Sequence, residues 1–251
     1  MLFRSLKFRF FHLLSFDIAL AKDLLLYGGP VVLGEIVWAT NAFAYNAIIG
    51  RFGANEMAAF SIVGMMNTLV YVWIAGLAAA VGITTGKLVS SYGNLDEIRQ
   101  YSHRVQRMFL IVGIITGLLI FFTKSIFISF YTISPSASET STQLMSVLSI
   151  TIVGTCYQMP CLAGLVKAGG NTSFVFKNDT IFVFGVVLPS AFIAMYAFQA
   201  PAWVVYACLQ SDQILKCFVA LVKINRYSWM KNLTRSSAAI STSSSPIETD
   251  A

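Results

Sequence analysis

The stretch LMSVLSITIVGTCYQMPCLAGLV, at residues 144–166, decides the fold class of this sequence. It contains no charged residue. At a rise of about 1.5 Å per residue, an α-helix of this length crosses a hydrocarbon core of roughly 30 Å. Apolar and polar residues do not alternate in it, as they would in a strand of a membrane β-barrel. The stretch therefore predicts a membrane-spanning helix.

Five more apolar runs lie on either side of this stretch. Together they predict six spans, at about residues 30–50, 57–82, 108–123, 143–166, 174–198 and 202–222. The third span is the shortest, and Lys124 is expected to extend from its outer end towards the interface. The chain of 251 residues is 57% hydrophobic and 11% charged, whereas a soluble domain is about 25% charged. We expect an all-α polytopic membrane protein with six transmembrane helices, and we exclude a soluble globule.

The distribution of charge predicts the orientation in the membrane. The formal net charge is +6, and most of the 17 Lys and Arg residues lie before the first span, in alternate loops and after the last span. Cytoplasmic loops are enriched in these residues. We therefore expect both termini to be cytoplasmic in a multi-pass protein of the cell membrane, such as the bacterial inner membrane. The basic residues interact with the lipid bilayer in this interpretation, and no nucleic-acid partner is expected.

Composition also divides the chain into three segments. Residues 1–26 mix Arg and Lys with Phe and are predicted to lie on the membrane surface as an amphipathic segment. Residues 27–224 form the six-helix unit. Residues 225–251 are predicted to be a cytoplasmic tail, disordered from about residue 236, because the end is rich in Ser and has no apolar period.

Motifs of enzymes are missing from the sequence. It contains no GxSxG, HExxH or Walker A pattern. We therefore expect a protein that is not an enzyme and that has no bound cofactor.

Glu35 is the most informative single residue. A carboxylate within a bilayer costs about 2.5–3.5 kcal/mol and usually marks the path of an ion or a substrate. At about 100° per residue, Asn46 falls on the same helix face, with Trp38 and Tyr45 at its margin. A carboxylate, an amide and aromatic rings are the groups that bind an organic cation. The alternatives are a protonated Glu35 bonded to a neighbouring helix, and packing roles for the two aromatic residues.

Polar residues also share helix faces in the second and fourth spans. Asn67 and Tyr71 lie on one face of the second span. The fourth span carries a polar face formed by Thr151, Gly154, Thr155 and Gln158. Such faces line cavities or form interhelical hydrogen bonds, and both possibilities remain open. We take Asn67, Tyr71 and Gln158 as candidate substrate-binding residues, and we expect Pro160 to bend the fourth span.

Charged residues occur near the inner ends of the last two spans. Asp212 and Lys216 are four residues apart, which predicts an ion pair of structural role on one helix face. A basic loop residue such as Lys167 is one available partner of Asp179, and the sequence leaves this pairing open.

Four stretches of the chain resemble the carboxyl-terminal half of MATE (multidrug and toxic compound extrusion) transporters. They are GEIVWATNAFAYNAIIGRFG at 34–53, GLAAAVGITTGKLVSSYGNLDEIRQYSHR at 76–104, LVKAGGNTSFVFKND at 165–179 and YACLQSDQILK at 206–216. They occur in the family's order, and the resemblance extends over roughly residues 22–235.

This resemblance implies a fold and an activity. Family members are similar in having two six-helix lobes around a central cavity. The chain would be the second lobe, residues 1–26 would belong to the linker between lobes, and a missing amino-terminal lobe or a second copy would complete the transporter. Such proteins export organic cations in exchange for Na⁺ or H⁺. Glu35 occupies the family's cation-coupling position, where it would bind Na⁺ or a proton.

Two other functions remain open at this point. The chain would be an inactive truncated fragment or a non-transporting membrane partner protein if no second lobe completes it. It would be a lipid-linked oligosaccharide flippase if it follows related exporters that share the helix count.

Overall fold

The computed structural model describes residues 18–90, 95–227 and 229–230. These residues include six helices that are long and apolar enough to cross a membrane, which confirms the predicted fold class. In chain order the six spans are Gly28–Ile49, Ala54–Val89, Asp96–Ser129, Pro135–Lys167, Thr172–Ala197 and Ala202–Asn225. Residues 1–17 of the predicted surface segment and residues 231–251 of the predicted tail lie outside the described residues.

The first three spans belong to continuous helices. Their bounds are Ile18–Ile49, Ala54–Ser90 and Leu95–Ser129. The first helix runs without a break across the predicted segment boundary at residue 26. The third helix has 35 residues, so the prediction of a short third span is wrong. Its first turns carry charged side chains, and these continue the helix beyond the apolar run that defined the prediction.

Lys124 also differs from its prediction. Its Nζ donates a hydrogen bond of 2.7 Å to Oγ of Ser146 in the fourth span and lies 4.1 Å from the ring centre of Phe121. The side chain therefore links two helices, because a hydroxyl partner lies within reach on the neighbouring span.

The fourth span changes its helical geometry at Pro160. Its α-helix, Pro135–Met159, begins after Ser134, whose Oγ accepts a hydrogen bond of 3.3 Å from the backbone N–H of Ala137. A π-helical stretch, Pro160–Lys167, follows directly. Proline has no N–H to donate and clashes with the carbonyl four residues earlier. The α-helical hydrogen-bond ladder is therefore interrupted here, as the sequence predicted.

The last two spans are built from shorter helical pieces. The fifth span consists of α-helices Thr172–Phe182 and Leu188–Phe192 and π-helical stretches Val183–Val187 and Ile193–Ala197. The sixth span consists of Ala202–Leu209 and Ser211–Asn225, separated at Gln210.

The fourth span is the centre of the lobe. In its most apolar window 72% of the residues are buried, against 39% or less in the other spans. It packs against the second, third and sixth spans. Gly154 permits the approach of the sixth span, because a Cβ at this position would collide with the backbone carbonyl of Gln213. Large apolar side chains such as Phe122 and Phe130 cover the outer surface, as expected for helices surrounded by lipid.

Candidate functional site

A polar cavity of about 360 Å³ lies within the lobe. It is lined by residues from the first, second, fourth, fifth and sixth spans. It brings together five of the seven residues that the sequence proposed as a site. These five are Glu35, Trp38, Asn67, Tyr71 and Gln158. Residues far apart in the sequence thus share one cavity because five helices converge on it.

Glu35 has a basic partner at this cavity. Its Oε1 lies 3.7 Å from Nζ of Lys167, which ends the fourth span. The Glu35 side chain is 71% exposed and that of Lys167 is 33% exposed on the surface of this chain. Exposed pairs of this kind are held only weakly, so each charge is available to another partner.

Tyr45 and Asn46 lie apart from the cavity. Tyr45 packs against the apolar core, and the amide of Asn46 donates a hydrogen bond of 2.9 Å to the carbonyl of Ala42 in its own helix. The two residues share a helix face with Glu35, but ten or more residues separate them along the axis, which is about 15 Å. A common face therefore did not mean a common site.

Three charged side chains form a buried cluster, the triad, in the cavity wall. Nζ of Lys216 lies 2.8 Å from Oδ1 of Asp179 and 3.0 Å from Oδ2 of Asp212. The pair within the sixth span is the one that the spacing predicted. The partner of Asp179, which the sequence left open, is Lys216 and not Lys167. Lys167 faces Glu35, and the fifth and sixth spans bring Asp179 to Lys216.

Amide and hydroxyl groups extend the triad towards the fourth span. Nε2 of Gln213 donates a hydrogen bond of 3.0 Å to Oδ1 of Asp212. Oε1 of Gln213 accepts hydrogen bonds from Thr155, at 3.0 Å, and from Gln158, at 3.1 Å. Thr155 and Gln158 also line the cavity. The polar face of the fourth span thus has both of the roles that the sequence left open.

Trp38 connects the triad with the rest of the cavity. Nζ of Lys216 lies 5.5 Å from the centre of its ring, within the range of a cation–π interaction. Phe182 lies on the same ammonium at 5.9 Å. Two aromatic rings therefore lie within cation–π range of the positive member of the triad.

Six polar residues of the cavity were not proposed as substrate-binding residues from the sequence. They are Thr155, Lys167, Thr172, Asp179, Gln210 and Gln213. A charge in a predicted span was the available signal for Asp179. Its partner is 37 positions away in the next span, so only the tertiary structure shows that it belongs to this site.

A second groove, of about 640 Å³, lies between the third, fourth and sixth spans. Its lining consists mostly of Leu, Ile, Phe and Val side chains and includes no charged residue. Its lining matches the chemistry of lipid chains, and it offers none of the charged groups that the polar cavity brings together.

Charged and polar side chains in a cavity among membrane-spanning helices are typical of membrane transporters. The chain belongs to the MatE family, whose model matches residues 30–193. Members of this family are transporters.

The chain matches only part of the length of its curated relatives. The probable multidrug resistance protein NorM of Listeria monocytogenes is 28% identical over 119 residues, which are 47% of this chain and 26% of that protein. A protein with the same description from Listeria innocua matches over the same length with the same identity.

Two solved structures are similar in fold. A MOP superfamily transporter from Pyrococcus furiosus superposes with a TM-score of 0.62 at 12% identity, over 87% of this chain and 49% of that one. An outward-facing multidrug resistance MATE family transporter gives 0.55 at 14% identity, over 85% and 47%. The chain thus spans about half the length of each solved structure.

Proposed function

We propose that this chain is the cation-binding lobe of a secondary multidrug exporter, which exports organic cations in exchange for H⁺ or Na⁺. The supporting observation is the combination of side chains in one cavity. Glu35 supplies a carboxylate, Trp38 and Tyr71 supply aromatic rings, and Asn67 and Gln158 supply amides. A carboxylate neutralises a cation, rings attract it through their quadrupole, and amides orient its polar groups.

Glu35 has the central role in this proposal. Its only charged contact in the described part of the chain is the ammonium of Lys167, 3.7 Å away. An organic cation that enters the cavity replaces this ammonium beside the carboxylate. Glu35 then alternates between a coupling ion and the substrate, and rocking of the lobe exposes the cavity to the two sides of the membrane in turn.

A second lobe completes the transporter in this proposal. Glu35 and Tyr71 are exposed on this chain although they line the cavity. An amino-terminal lobe or a second copy of the chain covers this side and separates the cavity from one side of the membrane at a time. The lipid bilayer surrounds the assembly, and the transported molecules are cationic small molecules.

Binding of a permeant organic cation tests the proposal directly. The full chain is purified in lipid nanodiscs, and its affinity for tetraphenylphosphonium is measured at equilibrium. Glu35→Gln should weaken binding about tenfold or more, because a lost charge interaction of about 1.4 kcal/mol corresponds to a factor of ten. Glu139→Gln removes an exposed carboxylate outside the cavity and is the matched control. Equal affinities of wild type and Glu35→Gln would contradict the role of Glu35.

Growth of a drug-sensitive bacterium tests export. In a complete two-lobe assembly, Glu35→Gln should abolish growth on a cationic drug while membrane insertion of the chain is unchanged. Wild-type chain that inserts but binds no organic cation supports an inactive fragment or a non-transporting partner protein. Movement of a lipid-linked oligosaccharide without movement of organic cations supports a flippase.

A further inference from the structure

A basic pocket adjoins the apolar groove between the third, fourth and sixth spans. The pocket has a volume of about 430 Å³ and lies at the carboxyl-terminal end of the sixth span. Apolar side chains form most of its wall, and the side chains of Lys223 and Arg226 complete it. Phe218 lines both the groove and the pocket. The two spaces are therefore neighbours, and one elongated ligand can occupy both.

The groove has the fourth span as its floor and the third and sixth spans as its sides. The third and sixth spans both pack against the fourth. Gly117 and Gly154 permit this close packing, because a Cβ at either position would collide with a backbone carbonyl of the neighbouring span. The shape of the groove is thus fixed by the packing of three helices. Its sides include Leu110, Ile114, Leu118, Ile214, Phe218 and Leu221.

The length of the groove matches that of a lipid chain. On the third span the lining residues extend from Leu110 to Phe121, which is about 16 Å along the helix. The hydrocarbon core of a bilayer is about 30 Å thick, so the chains of one leaflet extend over about 15 Å. The volume of about 640 Å³ is within the range of ligand pockets, which is about 300–1,000 Å³. The groove therefore accommodates an acyl chain that lies along the helices.

The pocket beside the groove is positively charged. Lys223 lies in the last turn of the sixth helix, and Arg226 directly follows that helix. Nζ of Lys223 lies 4.3 Å from the ring centre of Phe174, another residue of the pocket wall. The sequence contains no acidic residue at 213–247, around the pocket, or at 98–138, which includes the apolar run of the third span. A negatively charged group is therefore the complementary ligand of this pocket.

The position of the groove favours the bilayer over a second lobe as the source of its ligand. The groove is lined by the third, fourth and sixth spans. Glu35 and Tyr71, which a second lobe covers in the proposed assembly, belong to the first and second spans. Apolar side chains at the groove, such as Phe218 and Ile150, are 66% and 64% exposed. They face the surroundings of the lobe, where lipid chains are the available apolar molecules.

We propose that the groove and the basic pocket together bind one anionic glycerophospholipid. An acyl chain lies in the groove, and the phosphodiester accepts hydrogen bonds from Lys223 and Arg226. The planar guanidinium of Arg226 matches two phosphate oxygens, and the ammonium of Lys223 adds a point charge. Both residues lie at the end of a span, the depth at which the headgroup region of a bilayer begins. This lipid site goes beyond the proposed function, because it requires neither a transported substrate nor a second lobe.

Native mass spectrometry of the full chain in detergent tests the lipid site. The chain is titrated with phosphatidylglycerol and, separately, with phosphatidylcholine that has the same acyl chains. Wild type should bind one phosphatidylglycerol about tenfold or more tightly than phosphatidylcholine, because each basic residue near an anionic headgroup contributes about fivefold. Equal affinities for the two lipids would overturn the proposal.

Substitution of the two basic residues tests the headgroup contact. The double variant Lys223→Gln, Arg226→Gln should lose the preference for phosphatidylglycerol. Arg51→Gln removes an exposed basic residue outside the groove and the pocket, and it should retain the preference. Lys223 and Arg226 also lie where cations stabilise the end of a helix. If that were their only role, the double variant would be less stable with an unchanged preference, and this result would overturn the headgroup contact.

A bulky side chain in the groove tests the position of the acyl chain. Ile114→Trp places a larger ring among the lining residues. It should bind less of both lipids by a similar factor, with an unchanged preference between them. Ile115→Trp is the matched control, because Ile115 is exposed but is not among the residues that line the groove. Equal lipid binding by the two variants would overturn the groove as the site of the chain.

Glycerol phosphate distinguishes a lipid site from a site for phosphate alone. This molecule carries the phosphate group without acyl chains. An excess of it should leave phosphatidylglycerol bound to wild type, because the groove contributes to binding of the lipid. Displacement of the lipid at a comparable concentration would show that the basic pocket binds phosphate alone, and it would overturn the lipid site.

Discussion

Two ionic clusters of the same chemistry occupy the same cavity with different surroundings. The pair of Glu35 and Lys167 is 3.7 Å long and exposed, whereas Lys216 lies at 2.8 Å and 3.0 Å from its two carboxylates and is 1% exposed. The first cluster is exposed on this chain, so its charges exchange partners at low cost. Burial makes the second cluster strong and charge-sensitive. The comparison indicates that one cavity can adjoin two kinds of ionic cluster. The charges of the exposed pair exchange partners easily, whereas those of the buried triad are held in place.

The largest expected effect is the loss of the ammonium from the buried cluster. Lys216→Met leaves two buried carboxylates facing each other, and removing one partner of a buried ion pair costs about 3–5 kcal/mol. Thermal unfolding in nanodiscs should show a clear fall in stability. Lys167→Met is the matched control, for which we expect a change of about 0–1 kcal/mol because its partner is exposed. Equal effects of the two substitutions would remove the distinction between the clusters.

A smaller effect is expected from disturbing the close packing of the fourth span against the sixth. Gly154→Ala places a methyl group against the carbonyl of Gln213, so the fourth and sixth spans must separate. Overpacking of this kind costs about 1–3 kcal/mol, and thermal unfolding measures it. Gly76→Ala adds the same methyl group in the second span, where nothing lies within 4 Å. Unchanged stability of Gly154→Ala would show that close packing of these spans is not required.

The smallest expected effect is a difference in stability between variants of the two carboxylates of the triad. Asp212→Asn disturbs contacts with both Lys216 and Gln213, whereas Asp179→Asn disturbs the contact with Lys216. One additional hydrogen bond contributes about 0.5–1.5 kcal/mol. The free energy of unfolding should therefore fall further in Asp212→Asn by about this amount. A larger loss in Asp179→Asn would place the structural role on the other carboxylate.

Much of the fold was predictable because hydrophobicity is a property of short stretches. The run at 144–166 and five neighbouring apolar runs predicted the spans. Pro160 predicted a disturbance of the fourth span at the residue where its helical geometry changes. The length of the third helix was not predictable in the same way. Its polar first turns, from residue 95, have no apolar signal, although they continue the same helix.

The candidate site was predictable only in part. Angular position around a helix grouped Glu35 with Trp38, which share the cavity, but also with Tyr45 and Asn46, which do not. Periodicity gives the direction of a side chain but not which neighbouring helix it meets at each depth. The location of a cavity depends on where several helices converge.

The sequence by itself determined a six-helix membrane protein and the pairing of Asp212 with Lys216, and it placed an acid within the first span. These features depend on composition and on spacing within one helix. Only the tertiary structure decided that Asp179 completes a triad and that Lys167 faces Glu35. The physical reason is that a buried charge takes the partner that helix packing brings within hydrogen-bonding distance, and this distance is unrelated to separation along the chain.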